Sequence, residues 1–401
     1  MKYSIVIPIY LSRKDNQWKE GDIIYDHPTA INQSGTLVRT LESLEIIKDE
    51  DFDVVLVVST TIKEIDNKIE NWINSRIQEA KYRPKNLHIF TIYDLEKLSR
   101  ALNIKNHHQK KLLSLNGYSQ VRNCGFVAGI LNKSDAIIFL DDDELVRDKE
   151  FIKKINQGLN KVVQKKKIRF ITGLCPEGET GSYVRVRKYL PWMAYWDKIK
   201  FQNEAFVEMA ENASRFKVSP LTHGGLCIIH KDIFSKIPFD PRVPRGEDMD
   251  YNINCRMFGY KCYMDNKLEI RHCPPPRVHP SWRSFRVDMV RFFIQRNKIN
   301  NQNKKLGTKK IVTAEDFDPY PGVFLKKNLE DMVFKSQVTL AMDYFSQDKI
   351  MYARNTLNNI NIASEFSTLD IDFFRHYLDM VKAWKELTTK LKDCNFNLRR
   401  I

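Results

Sequence analysis

Ala136-Ile137-Ile138-Phe139-Leu140-Asp141-Asp142-Asp143-Glu144 is a short apolar run that ends in four consecutive acids. A run of this length, apolar on both faces, suits a strand in a parallel sheet, where helices cover both sides. The acids would then stand at the strand's carboxyl end. Neighbouring carboxylates repel, and each raises the pKa of the next. A divalent cation relieves that cost, and hard oxygen donors suit Mg²⁺ or Mn²⁺. An acidic turn or helix N-cap accounts for the same residues without a ligand.

Three runs of the same kind precede it, at 3–9, 53–59 and 87–92. Helical patterns lie between them, at 35–47, 62–80, 94–103 and 119–131. The alternation predicts an α/β fold with a doubly wound, mostly parallel sheet. Ligands of such sheets sit beyond the carboxyl ends of the strands. The polar stretch 11–34 borders that crevice, as a cover or as a plain surface loop. Residues 296–310 are polar, basic and nearly free of apolar side chains, and read as a linker. Beyond them 326–346, 347–358 and 369–392 read as helices, with Phe373, Phe374, Tyr377, Leu378, Val381 and Trp384 at spacings of three and four.

The chain has 401 residues, 42% of them hydrophobic, which is enough for a packed core and too many for disorder. No stretch approaches the roughly 20 apolar residues of a membrane span, and the first ten turn polar too quickly for a secretion signal. The expectation is a cytoplasmic protein. The seven cysteines (124, 175, 227, 255, 262, 273, 394) show no CxxC pair and no zinc spacing, so they read as free thiols. A net charge of +15, spread in mixed-sign runs, implies affinity for an anion without naming it. The basic aromatic segment Trp282–Phe293 fits nucleic-acid stacking, an anionic membrane surface, or packing on a catalytic domain.

Two further segments carry chemistry. In Pro244-Arg245-Gly246-Glu247-Asp248, Gly246 permits an unusual turn and the two acids open a helix that ends near Gly259. Helix capping explains those acids equally well. Arg271-His272-Cys273 places a histidine at the end of a strand, before three prolines.

Taken in order, the segments are Ile7-Pro8-Ile9-Tyr10, Arg122-Asn123, Asp141-Asp142-Asp143, His223-Gly224-Gly225, Gly246-Glu247-Asp248 and His272. This order and spacing resembles the nucleotide-sugar glycosyltransferases of the GT-A fold, in particular the inverting family 2 enzymes, over about residues 1–275. The resemblance implies a Rossmann-like catalytic domain at 1–295, with a nucleotide-sugar half at about 1–145 and an acceptor half at about 146–295. A basic linker at 296–310 and a helical C-terminal extension at 311–401 would follow.

It also implies roles. Pro8, Ile9 and Tyr10 would lie against the nucleobase or ribose. Arg122 would meet a phosphate oxygen or a carboxylate near the donor. Asp141 would lie near the ribose or the metal, with Asp142 beside it, and Asp143 would be the direct ligand of Mn²⁺ or Mg²⁺. His272 would complete the coordination, with His279 as a substitute. Gly224 and Gly225 would allow close approach of sugar or acceptor, and Trp192 belongs to the region that builds acceptor sites. Asp248 would be the base, positioned by Glu247. The donor would be UDP- or GDP-linked, and the acceptor a glycan, a lipid-linked sugar or a small molecule. Peripheral membrane contact and a homo-oligomer through the C-terminal helices are further expectations; nucleic acid is not.

One departure stands out: Ser59-Thr60-Thr61 occupies the place where many members carry an acid that reads the nucleobase. The competing readings are a retaining GT-A enzyme acting on a small acid, such as glycerate or phosphoglycerate, and a non-catalytic nucleotide- or nucleic-acid-binding module.

Overall fold

The computed structural model describes residues 1–178 and 181–401. Nine strands form the path of its main sheet: β1 (Tyr3–Ser12), β2 (Phe52–Thr60), β3 (Leu87–Phe90), β4 (Ala136–Phe139), β5 (Phe170–Leu174), β6 (Phe216–Val218), β7 (Cys227–His230), β8 (Tyr263–Glu269) and β9 (Arg399–Arg400). Their order is β6-β8-β5-β7-β4-β1-β2-β3-β9. β1 pairs in parallel with β2 and β4, and β2 with β3, whereas β7 runs antiparallel between β4 and β5. The four strands expected from sequence are the parallel centre of this sheet.

Every residue of β1 and β2 is buried. Ile5, Ile7, Ile9, Val54, Leu56 and Val58 face one apolar layer, while Val6, Val55 and Val57 face a second that holds Phe126, Phe139 and Trp384. Burial on both faces is why these runs are apolar without alternation.

The C-terminal helices Leu329–Ser346, Ile350–Thr368 and Phe373–Lys392 pack into the apolar layers of the rest of the chain. Trp384 is fully buried and its indole N–H donates to the carbonyl of Phe234 at 2.8 Å. The Tyr377 hydroxyl donates to the carbonyl of Pro238 at 2.8 Å. The chain then returns to pair β9 antiparallel with β3.

The expected linker at 296–310 begins inside a helix, whereas 302–310 is irregular and mostly exposed. The helix Ser281–Asn301 runs into it without a break. Lys298 is completely buried, 3.1 Å from Asp240 and 2.5 Å from Asp250. Long basic side chains bury their stems while their heads find partners, so a basic composition does not make a segment loose. The aromatic residues of the same helix serve the core, as the packing reading expected. Trp282, Phe285, Met289 and Phe292 point into the core, Arg286 donates to Asn359 at 2.7 Å, and Arg291 meets Asp288 at 3.2 Å. No helix among the described residues is long and apolar enough to cross a membrane.

Candidate active site

Beyond the carboxyl ends of β1 and β4 lies a cavity of about 430 Å³. Tyr10, Arg122, Asp141, Asp142, Asp143, Gly224, Gly225, Glu247, Asp248 and His272 all line it. Residues more than 250 positions apart thus meet at one place.

Arg122 ties the two acidic segments together. Its Nη2 donates to Asp141 Oδ1 at 2.8 Å, and its Nε to Glu247 Oε1 at 3.3 Å. The guanidinium stacks on the Phe139 ring at 4.8 Å, and its buried Nη1 has no hydrogen-bond partner among the described residues.

The three aspartates differ in environment. Asp143 Oδ2 lies 3.5 Å from His272 Nε2, and His272 Nδ1 lies 3.7 Å from Glu177 Oε1. Burial alone would lower the imidazole pKa, but Asp143 and Glu177 outweigh it and push it up to about 10. Asp142 turns toward the helix Leu37–Ser43: Thr36 Oγ1 donates to its carboxylate at 3.2 Å and Thr40 Oγ1 to its carbonyl at 2.7 Å. Burial, then Asp143 and Asp141, holds its carboxyl well above the usual range. Glu144 is fully buried beneath them and accepts from the backbone N–H of Asp141 at 2.8 Å. Its Oε1 faces Cys175 Sγ at 3.5 Å and His223 Nδ1 at 3.6 Å.

Gly246 has φ 64° and ψ 38°, the left-handed conformation that glycine adopts without penalty, and it opens the helix Glu247–Met257. The turn projects Glu247 and Asp248 into the cavity. Burial and then the neighbouring Asp248 raise the Glu247 carboxyl to about 7, against the pull of Arg122. Burial also raises Asp248, although its Oδ1 accepts from the backbone N–H of Met249 at 2.8 Å.

The polar stretch after β1 does enter the crevice. Tyr25 stacks on Tyr10 with centroids 4.0 Å apart, and its hydroxyl bonds to Ser59 Oγ at 2.9 Å. Asp26 and His27 follow it into the cavity wall. These two escaped the sequence reading, as did Glu177, Arg185, Arg187, Lys198, Arg277, Asp288, Arg291 and Tyr320. The cover reading of 11–34, the acceptor region around Trp192, the segment Trp282–Phe293 and the Arg245 quoted beside Gly246 pointed toward this wall without naming those residues. Arg245 pairs with Asp26 at 2.8 Å and with Asp288 at 3.2 Å.

Pro8, Ile9, Trp192 and His279 lie outside the cavity lining. Pro8 and Ile9 are buried inside the sheet. Trp192 packs toward the C-terminal helices instead. His279 lies beside Trp18 and Arg283, with its Nδ1 3.0 Å from Arg283 Nη1. Gly225 lines the cavity, but a Cβ there would sit 1.9 Å from Glu144 Oε2, so the buried carboxylate already demands glycine.

Residues 29–287 match the profile of the glycosyltransferase-like family 2 proteins. The chain belongs to that family. It is a glycosyltransferase, and the parallel-centred sheet with acids at the end of β4 is its GT-A fold. Among solved structures, this glycosyltransferase is similar to a mannosyltransferase from Pyrobaculum calidifontis in complex with GDP-Man and Mn²⁺. The two share 12% identity over 96% of this chain and 86% of the other, with a TM-score of 0.42. It is also similar to glucosyl-3-phosphoglycerate synthase from Mycobacterium tuberculosis in complex with Mn²⁺, UDP and phosphoglyceric acid. There the identity is 11% over 71% of this chain and 77% of the other, with a TM-score of 0.33. No curated protein matches this glycosyltransferase.

Proposed function

We propose that this glycosyltransferase moves a sugar from a nucleoside-diphosphate donor to a hydroxyl acceptor with inversion, and that Asp248 is the base. One observation carries the reading: a single cavity holds Asp141, Asp143 and His272 together with Glu247 and Asp248, and Arg122 bonds to both groups.

The donor set fits a divalent cation. Asp143 offers hard oxygen and His272 a borderline nitrogen, a combination compatible with Mn²⁺. Asp143 and His272 would hold Mn²⁺ or Mg²⁺ with Asp141 alongside, and the bound ion would neutralise charge on the leaving diphosphate. Arg122, held rigidly by Asp141 and Glu247, would add its own positive charge there, pre-oriented before the reaction. Tyr10, the one member of its strand-end trio that reaches the cavity, would lie against the nucleoside. On the opposite side Asp248 would accept the proton of the acceptor hydroxyl as its oxygen attacks the anomeric carbon. The bond from that carbon to the diphosphate oxygen breaks as the new one forms, which inverts the centre.

Thermal stability measured with UDP, GDP, CMP, ADP and dTDP, with and without Mn²⁺ or Mg²⁺, tests the reading. A ligand that binds only the folded state adds about 2.7 kcal/mol at a hundred times its Kd. The expected result is a metal-dependent shift with one diphosphate that Asp143→Ala abolishes. No shift with any nucleotide would overturn the reading. Proton NMR of the product's anomeric coupling tests inversion, and retained configuration would remove Asp248 from its role.

A further inference from the structure

Besides Arg122, six cations reach the cavity, and four of them are matched by carboxylates. Arg185 meets Glu177 at 2.7 Å, Arg245 meets Asp26 at 2.8 Å, Lys198 meets Asp288 at 2.5 Å, and Arg291 meets Asp288 at 3.2 Å. Arg187 and Arg277 have neither an ion pair nor a hydrogen bond among the described residues. They come from separate loops, Arg277 directly after Pro274, Pro275 and Pro276, whose rings fix the backbone. Both residues keep exposed surface, so both are open to a ligand.

We propose that Arg187 and Arg277 form a phosphate seat, and that the acceptor of this enzyme is therefore a phosphate ester. The inference rests on the transferase reading above. Asp26 and Asp288 offset the charge of Arg277 and Glu177 that of Arg187, but no carboxylate bonds to either guanidinium among the described residues, so both keep their donors for an anion. Desolvation in the cavity, then Arg277 and Arg185, brings the Arg187 pKa down to about 10, and desolvation likewise lowers Arg277. The flat guanidinium fork matches phosphate oxygens in pairs of parallel hydrogen bonds.

Arg277 marks the acceptor side of the seat, and Arg187 stands between it and the Arg185–Glu177 pair. The donor diphosphate has its own partners in Asp143, His272 and Arg122. From the base, a line of alternating charge leads away from them. Arg291 packs so closely on Gly246 that a Cβ there would lie 1.8 Å from its Nη1, and Arg291 and Arg245 share Asp288. Arg245 in turn pairs with Asp26, and Asp26 and Arg245 are the charged groups that act most on Arg277. Arg187, Arg277 and Asp248 line the same cavity, so an acceptor whose phosphate pairs with the two arginines can present its hydroxyl to Asp248.

Isothermal titration of the full chain, saturated with Mn²⁺ and whichever nucleotide it binds, tests this with inorganic phosphate, glycerol 1-phosphate and glycerol as probes. The expected result is that both phosphates bind and glycerol does not. The Arg187→Ala/Arg277→Ala double variant, of unchanged melting temperature, should bind the phosphates about tenfold more weakly or worse, with nucleotide affinity intact. Competition between nucleotide and phosphate, or wild-type phosphate binding by the double variant, would overturn the proposal. Micelles of short-chain phosphatidic acid form a second arm. Tighter binding than glycerol 1-phosphate puts the phosphate on a lipid, and weaker binding puts it on a soluble acceptor. Should no nucleotide bind, the transferase reading fails by itself, and the phosphate titration of the free chain still reports on the two arginines.

Discussion

Glu247 is buried, Asp248 beside it is half-buried and both feel Arg122, so the first proton is easier to lose than the second. With the Glu247 carboxyl raised to about 7, the pair carries an extra proton in mildly acidic solution. A base must be ionised to act, so kcat/KM is expected to rise between pH 6 and pH 8 with a midpoint near 7. A flat profile over that range would show that the pair does not control transfer. The sign for stability is opposite. A carboxyl raised in the folded state favours folding below its ordinary value of 4.5, and that contribution is lost as pH rises through about 7. Asp248→Asn should cost about 10²- to 10⁴-fold in transfer while leaving nucleotide affinity unchanged by titration. At this scale Arg122, Asp143 and Asp248 were legible because charged residues stood in unusual company: after an apolar strand, within a mostly apolar helix, behind a glycine. Asp26, Arg187 and Arg277 carry no such mark, since nothing local distinguishes an arginine that lines a cavity from one on an ordinary surface.

Among the elements, the strands at 3–9, 53–59, 87–92 and 136–140 were legible from two-sided apolarity, and the helix at 369–392 from its period. The helix Ser281–Asn301 was misread at its end because its second half is basic. What holds that end is the Lys298–Asp240–Asp250 cluster, in which all three side chains are at most 1% exposed. Lys298→Met would leave two carboxylates buried without their cation, at a cost of about 3–5 kcal/mol, measured as a fall in the urea midpoint. Arg296→Met, two positions earlier, should cost under about 1 kcal/mol, because its partner Glu330 is 41% exposed and the pair is screened. Equal losses for the two variants would contradict the structure's assignment of the buried cluster.

For the whole molecule, the expected division at 296–310 has a direct check. Trp384 and Tyr377 lie in the same apolar layer as Phe126 of the helix Tyr118–Leu131 and Phe139 of the sheet. A chain ending at residue 310 would expose that layer, and truncating a buried large aromatic alone costs about 3–5 kcal/mol. Limited proteolysis should therefore yield no stable fragment ending between 296 and 310, and the truncated chain should be insoluble. A soluble, nucleotide-binding fragment of that length would restore the two-domain view.

The sequence by itself determined the parallel centre of the sheet, the acids at its carboxyl edge, the glycine turn that presents Asp248, and through these the family. Each depends on neighbours within about ten positions, where hydrophobic period and backbone preference act directly. Only the tertiary structure decided that the strap with Tyr25, Asp26 and His27 enters the site, that Gly225 answers to Glu144, that the C-terminal helices pack into the apolar layers of the rest of the chain, and that two arginines from separate loops face one cavity. Those facts depend on which distant surfaces bury one another, and packing of that kind leaves no trace in local composition.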